Sequence, residues 1–529
     1  MKNEESHSRK IIRISGVFNL IIGLLFSVPV LSTDTDEVPV VRFTISEFIV
    51  TGDNPLPVQE TREILSIFLG EHEGLEGLTE AAAELQSALV KAGHSFHRVL
   101  LPQQTLEQGR VTLEVVEFKL ANVDVTGNRY FSPDNIKSSL PRLAPGEVPD
   151  PRELSRELII ANEHPSKDVT LRIKSSKVPN SVDAELAVKD RNPWQVFSVI
   201  NNIGTDETGD FRISAGVQHS NLFDLDHSLT LSYTTSPGHW GDVKQFGANY
   251  RLPLYSWYGS LAFYYSKSDV DSGVIEQVFD VSGAGEFFGA NYTHTFRNID
   301  NYRHRLTLGI EDKLYENDVN FLNTPIGVDI RARPLSVSYW GEWRFERASL
   351  NYQMSYAHNL GGGSKNNDAV YAMSRFNAEE DWDVLRFAAN ANYFFPNHWL
   401  LSAGLNAQYT GEPLISGEQF GLGGVSSVRG FEERGVIGDK GIRMSLQAWT
   451  PPWKYNIRLV GFVEGGYAKT LEAPAGQIGS ETIVSMGLGF RWAWQDKISA
   501  SFDYAHEIDD ARADGAGGNK VHLTIYLRY

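Results

Sequence analysis

The chain has 529 residues, with 48 Lys+Arg against 66 Asp+Glu for a formal charge of −18, 41% hydrophobic residues and no cysteine. That length suggests roughly three units of about 150 residues each, unless one of them is a large barrel. Without sulfur, a disulfide framework, a zinc ribbon and a thiol nucleophile are excluded, and the acidic surplus argues against a nucleic-acid partner, which needs Lys and Arg against phosphates.

Mean hydropathy is −0.27, and past residue 32 no run approaches the roughly 20 apolar residues of a membrane helix. Taken alone, these values read as a soluble acidic protein. Residues 1–32 carry Lys2, Arg9, Lys10 and Arg13, an apolar run from Ile14 to Leu31, and Ser32 before TDTDE. This is the pattern of a secretory signal peptide. An N-terminal anchor is the alternative, but Asn19, Gly23 and Pro29 interrupt the run.

A strand at 41–50 (VRFTISEFIV) opens the next region and turns through Gly52 to Pro57. Two helical segments follow; in the second, Leu78, Ala82, Leu85 and Leu89 fall on one face, and Gly93 ends it. Strands at 95–101 and 109–117 complete a β-α-α-β-β order. The order then repeats with LANVDVTGN at 120–128, helical segments at 132–140 and 152–162, and the strands DVTLRIK and SVDAELAVK. TGD at 51–53 and TGN at 126–128 mark the same turn in each copy. A repeat of about 75 residues outweighs any single motif in deciding architecture. The predicted units are two α/β modules, over 41–118 and 119–192.

From Trp194 to the C-terminus the chain alternates. In 484–495, Val484, Met486, Leu488, Phe490, Trp492 and Trp494 interleave with Ser485, Gly487, Gly489, Arg491, Ala493 and Gln495. The final strand sets Val521, Leu523, Ile525, Leu527 and the terminal aromatic Tyr529 against His522, Thr524, Tyr526 and Arg528. About sixteen such segments begin near 195, 210, 227, 243, 257, 284, 302, 333, 347, 382, 398, 440, 456, 482, 497 and 520. A soluble sandwich would also alternate, so the connections decide. Short linkers such as PLYS at 253–256 and PN at 396–397 alternate with long ones such as 358–381 and 412–439, the bias of an outer-membrane barrel. Trp240, Trp257, Tyr258, Trp382, Trp399 and Trp453 lie at strand ends and suit interfacial girdles. The expected fold is two α/β modules followed by a 16-stranded antiparallel transmembrane β-barrel over 194–529.

The loop 412–439 contains FGLGGVSSVRGFEERG. In NIRLVGFVEGGYAK at 456–469, parity sends Arg458, Phe462, Glu464 and Gly466 to the lumen and Ile457, Leu459 and Val463 to lipid. Glu464 is then a possible two-pronged partner for Arg429 if the loop folds inward. The alternative is that both are unrelated solvated charges. G-x-S-x-G, H-E-x-x-H and Walker patterns are missing from the sequence. GGGSK at 361–365 reads as a flexible loop tip, and HEIDDARAD at 506–514 as a solvated loop rather than a calcium site.

VRGF, formed by Val428, Arg429, Gly430 and Phe431, resembles the sixth-loop tip of the POTRA-plus-barrel transporter superfamily. Phe462, Glu464 and Gly466 resemble its F-x-D-x-G strand motif, with Glu in the Asp place. LPQQTLEQGRVTLEVVE at 101–117 and NNIGTDETGDFRISAGVQHSNLFDLDHSL at 201–229 are similar to the two-partner secretion transporters of the haemolysin/filamentous-haemagglutinin secretion-activation family. The resemblance implies a Gram-negative outer-membrane protein transporter with periplasmic POTRA modules that capture an unfolded exoprotein, typically a β-helical haemolysin or adhesin. It implies outer-membrane lipid around the barrel, insertion by barrel-assembly machinery, Arg429 paired to Glu464 in the lumen, no cofactor or metal and no enzymatic activity. Two departures stand out: only Thr33 to Val40 is available for the plug helix common in that family, and Glu464 adds a methylene. A barrel-assembly insertase of the same superfamily is the alternative, though insertases typically carry three or five modules. An outer-membrane enzyme or passive porin is more remote.

Overall fold

The structure, a computed structural model, describes residues 42–105, 107–205, 208–269, 273–275, 279–281, 284–316, 320–321, 324–325, 328–474, 476, 478–510 and 518–529. The expected leader at 1–32, the stretch 33–40 and part of the acidic 506–514 segment lie outside them.

The first module comprises β1 (Arg42–Ile45), β2 (Glu47–Gly52), α1 (Val58–Ser66), β3 (Gly70–Glu73), α2 (Glu76–Lys91), β4 (His97–Leu100) and β5 (Arg110–Glu117). The single strand expected at 41–50 is therefore two. Ser46 breaks it, its N–H donating to the Gly109 carbonyl at 2.7 Å and its hydroxyl to the Gln108 carbonyl at 3.0 Å. β1 then pairs with β3, while β2 runs parallel to β5 in the order β2-β5-β4. Leu78, Leu85 and Leu89 are buried as expected, but Ala81 takes the fully buried place and Ala82 only flanks it. Gly93 ends α2 at φ +101°, with its N–H on the Val90 carbonyl and the His94 N–H on the Leu89 carbonyl, the paired bonds of a Schellman cap.

The second module follows the repeat: β6 (Lys119–Thr126), α3 (Pro133–Ser138), α4 (Pro151–Ala161), β7 (Lys167–Ser175) and β8 (Ser181–Asp190), in sheet order β6-β8-β7. Ser132 and Asp150 cap α3 and α4, each followed by proline at the start of the helix, where its missing N–H costs nothing. The turn shared by TGD and TGN has a steric basis. A Cβ on Gly52 would lie 2.2 Å from the Val115 carbonyl oxygen, and one on Gly127 2.5 Å from that of Val188.

Sixteen antiparallel strands close the barrel. Ile330–Ala332 and Pro334–Arg344 are one strand, since both pair with Tyr302–Tyr315 in a single register; the interruption falls where Pro334 has no N–H to give. Closure joins the first strand, Trp194–Asn201, to the last, Asn519–Arg528. Tyr529 extends this seam by exchanging both backbone bonds with Val196, at 2.8 and 3.0 Å. Side chains alternate as predicted. Gln353 and Ser355 line the interior, whereas Met354 and Tyr356 face outward. Trp257, Trp399 and Trp453 are exposed beside strand ends, whereas Trp240 is exposed in the middle of the loop between His227–Thr235 and Gln245–Leu254. Trp382 and Tyr258 are not. Trp382 faces inward and is buried beneath the long loop that precedes its strand, and Tyr258 is covered by the second module, the Arg156 guanidinium lying 3.7 Å from its ring centre.

The second module is seated on the barrel through buried polar contacts. In the first short turn, between Arg212–Leu222 and His227–Thr235, Phe223, Asp224 and Asp226 all adopt left-handed backbone, which brings the Asp226 carboxylate inward to Lys167. Asn135 donates to Asp226 at 2.9 Å and accepts from Lys167 at 3.0 Å, and the Tyr255 hydroxyl donates to Asp226 at 2.5 Å. Neither Lys167 nor Asp226 exposes any side chain. A charge buried this deeply persists only when paired and hydrogen-bonded.

Candidate functional site

The sixth long loop of the barrel joins the strands Leu400–Tyr409 and Lys440–Trp449. Instead of projecting outward it folds into the lumen, with a short hairpin of Phe420–Leu422 and Val436–Gly438 at its neck. Apolar residues hold it there. Val428 and Phe431 of the tip are buried with Leu422, Val436 and the wall residues Ala468 and Ile483. Gly466 makes room for this packing, because a Cβ there would fall 2.5 Å from the Leu422 side chain.

Arg429 lies at the centre of a desolvated charge cluster. Its Nε and Nη2 donate to Glu464 Oε2 and Oε1 at 3.0 and 2.8 Å, and its backbone N–H donates to Oε2 at 3.0 Å. Nη1 reaches Asp503 at 3.2 Å, and the guanidinium stacks 3.4 Å over the Phe462 ring. The two residues brought together by motif and parity therefore meet, and the alternative of unrelated solvated charges is corrected: both side chains are at most 4% exposed. The extra methylene of Glu464 leaves the two-pronged geometry intact. Gly430 takes φ +104°, and its N–H donates to His522 Nε2 at 3.1 Å. That bond requires an unprotonated Nε2.

Four members of the cluster were not singled out from sequence. Arg443 donates to Glu464 at 3.3 Å, Arg491 grips Asp503 with two bonds of 2.8 and 2.9 Å, and His522 anchors the tip. The signal for Arg491 and His522 lay in their lumen-facing register, but nothing local says which strands face one another across a closed wall. Three guanidiniums meet two carboxylates, so each carboxylate keeps a wall-borne cation besides Arg429.

Around the loop lies a polar cavity of about 710 Å³ lined by Tyr264, Lys313, Gln353, Arg386 and Glu418 among others. Glu418, in the descending arm of the loop, is fixed by Lys313 at 3.1 Å, Arg386 at 2.9 Å and Tyr315 at 2.8 Å.

The sequence profile of the haemolysin secretion/activation proteins ShlB/FhaC/HecB matches residues 181–492, more than half of the chain, and that of the ShlB-type POTRA domain matches 43–117. The chain belongs to this family. Proteins similar to it include the outer membrane transporter CdiB of Dickeya dadantii, 23% identical over 80% of this chain and 76% of that protein. The heme/hemopexin transporter protein HuxB of Haemophilus influenzae is 20% identical over 92% of this chain and 87% of its own length. Among solved structures, CdiB from Escherichia coli superposes with a TM-score of 0.75 over 94% of this chain and 93% of its own, at 18% identity. BamA from Haemophilus ducreyi lacking its first three POTRA domains reaches 0.51 over 92% and 100%, at 16% identity. Membership makes the protein an outer-membrane transporter of two-partner secretion, with POTRA modules on the periplasmic side, and favours that reading over the insertase one.

Proposed function

We propose that the protein takes an unfolded, β-helix-forming haemolysin or adhesin from the periplasm and passes it as an extended chain through the barrel, with no chemical step of its own. Division of labour follows the domains: a cleaved leader at 1–32, POTRA modules at 41–118 and 119–192, and the conduit at 194–529. Capture would use strand augmentation at the outer strands of the module sheets. Barrel-assembly machinery would insert the barrel into outer-membrane lipid, with Tyr529 in the terminal strand as its signature.

The observation that carries this reading is the sixth loop held inside a closed polar lumen by Arg429 and Glu464. A passive pore has no use for a charge latch between a mobile type of element and its wall, whereas a conduit that must seal between substrates does. The VRGF residues Val428, Arg429, Gly430 and Phe431 form the latch's tip, and Phe462, Glu464 and Gly466 its receiving face. Deleting residues 41–117 tests the capture step. Secretion of the cognate exoprotein should be lost while the barrel remains heat-modifiable in the outer membrane; secretion at the wild-type level would remove POTRA capture from the mechanism.

A further inference from the structure

The fifth extracellular loop, between the strands Ala348–Asn359 and Asp383–Phe394, also turns inward. Its helix α5 (Asp368–Ser374) brings Tyr371 onto an apolar cluster with Ile330, Ala332, Trp382 and Val384, lumen-facing residues at the outer rim, and with Leu414 and Ile415 of the sixth loop. Tyr315 packs against this cluster and also lines the polar cavity, so the cluster roofs that cavity on the extracellular side. GGGSK is part of the roof and not a free tip: the Lys365 carbonyl accepts from the Arg331 N–H at 2.8 Å, and its ammonium meets Asp329 at 2.9 Å.

A second, largely buried ion pair ties the roof to the sixth loop. Arg375, directly after α5, grips Asp439 through both terminal guanidinium nitrogens, the Nη2–Oδ2 bond being 2.6 Å, and also donates to the carbonyls of Leu414 and Leu471. Asp439 closes the sixth loop and exposes no side chain; it accepts from the N–H groups of Leu414 at 2.9 Å and Leu471 at 2.6 Å. Loops five, six and seven thus converge on one buried carboxylate. A chain travelling outward meets the underside of an apolar roof, and because Leu414 of the sixth loop bonds both Arg375 and Asp439, a shift of that loop disturbs the pair.

We infer that the fifth extracellular loop is the outer gate of the conduit and that Arg375 with Asp439 is its clasp, coupling gate opening to movement of the sixth loop. This rests on the reading of the barrel as the export path. The test uses the absence of native cysteine. Asn377 and Glu472 join the fifth and seventh loops at the surface, 2.6 Å apart. In the full-length Asn377→Cys/Glu472→Cys double variant, a short bis-methanethiosulfonate should cut exoprotein secretion at least about tenfold. Reductant should restore it, and each single variant should secrete normally. Undiminished secretion with the crosslink verified would overturn the gate. In planar bilayers, purified Arg375→Ala should open more often and conduct more than wild type, with Arg375→Lys intermediate; a folded Arg375→Ala barrel with wild-type conductance would overturn the clasp. Wild-type protein that secretes nothing in the same cells would break the export reading instead, while the conductance arm still answers for the gate.

Discussion

Arg429 reaches Glu464 and Asp503 on two strands of the wall, and these carboxylates have second cations in Arg443 and Arg491. Breaking a buried pair costs about 3–5 kcal/mol when a charge is stranded, against at most about 1 kcal/mol for an exposed one. Here the wall cations spare the strands that cost, so loss of Arg429 should fall on the loop. Arg429→Ala is expected to lower secretion by about tenfold or more while barrel abundance changes far less; immunoblots of medium and outer membrane check this, and wild-type secretion would sink the latch. A second residue-scale expectation concerns His164 in the module–barrel junction. Its Nε2 lies 2.5 Å from the Ser220 carbonyl and its Nδ1 accepts from the Ser166 N–H, an arrangement that needs the neutral ring. Burial, opposed by Asp226 and aided by Lys167, pulls its pKa down from 6.5 to about 4. The unfolded segment then binds the extra proton, so this contribution is complete above about pH 6.5 and is lost as pH falls through about 4, on the order of 3 kcal/mol. Glu157, pushed up by burial to about 7, has the opposite sign, stabilising at low pH and losing that contribution as pH rises through about 7. The rate of trypsin cleavage after Arg191 in wild type relative to His164→Gln, compared at the same pH, should therefore rise as pH falls from about 7 to about 5.5, a ratio from which the Glu157 contribution and trypsin's own pH dependence cancel. A ratio that stays constant across this range would contradict the role given to His164.

Elements were legible where a local period exists. The strands declared themselves through two-residue alternation, and the modules through a repeated order with glycine at matching turns. What sequence could not supply was anything set by closure. Asp503, Arg443 and Arg491 join Arg429 only because distant strands curl around one lumen. Trp382 has the composition of a girdle residue and the parity of a lumen residue, and parity won because the fifth loop covers it. In the modules, amide side chains mimic missing strand residues: Gln86 brackets β4, bonding the His97 carbonyl and the Val99 N–H, and Asn162 brackets β7 at both backbone groups of Val169. These blunt part of one edge of each sheet, at β4 and β7, a property no hydrophobic pattern reveals. The sixth loop as an element is tested at Gly466. A valine there places side-chain atoms into Leu422, so Gly466→Val should displace the loop, raise its proteolysis from outside the cell and lower secretion. A loop as protected as in wild type would show that the close approach is not needed.

For the whole molecule, a mean hydropathy of −0.27 and a charge of −18 pointed toward a soluble protein, and that inference fails on geometry. A barrel shows lipid only every second side chain, so averaging hides its surface. The other half of each strand builds a lumen of amides, hydroxyls and paired charges, wide enough to hold the sixth loop together with a cavity of about 710 Å³. The central claim is that the secreted chain passes through that lumen, and neighbouring residues on one strand test it most directly. Gln353 lines the cavity, whereas Met354 beside it faces lipid. With a photo-crosslinking amino acid at each position in turn and an exoprotein stalled in transit, crosslinks should form from position 353 and not from 354. Crosslinks absent from 353, or equally strong from both, would contradict passage through the barrel.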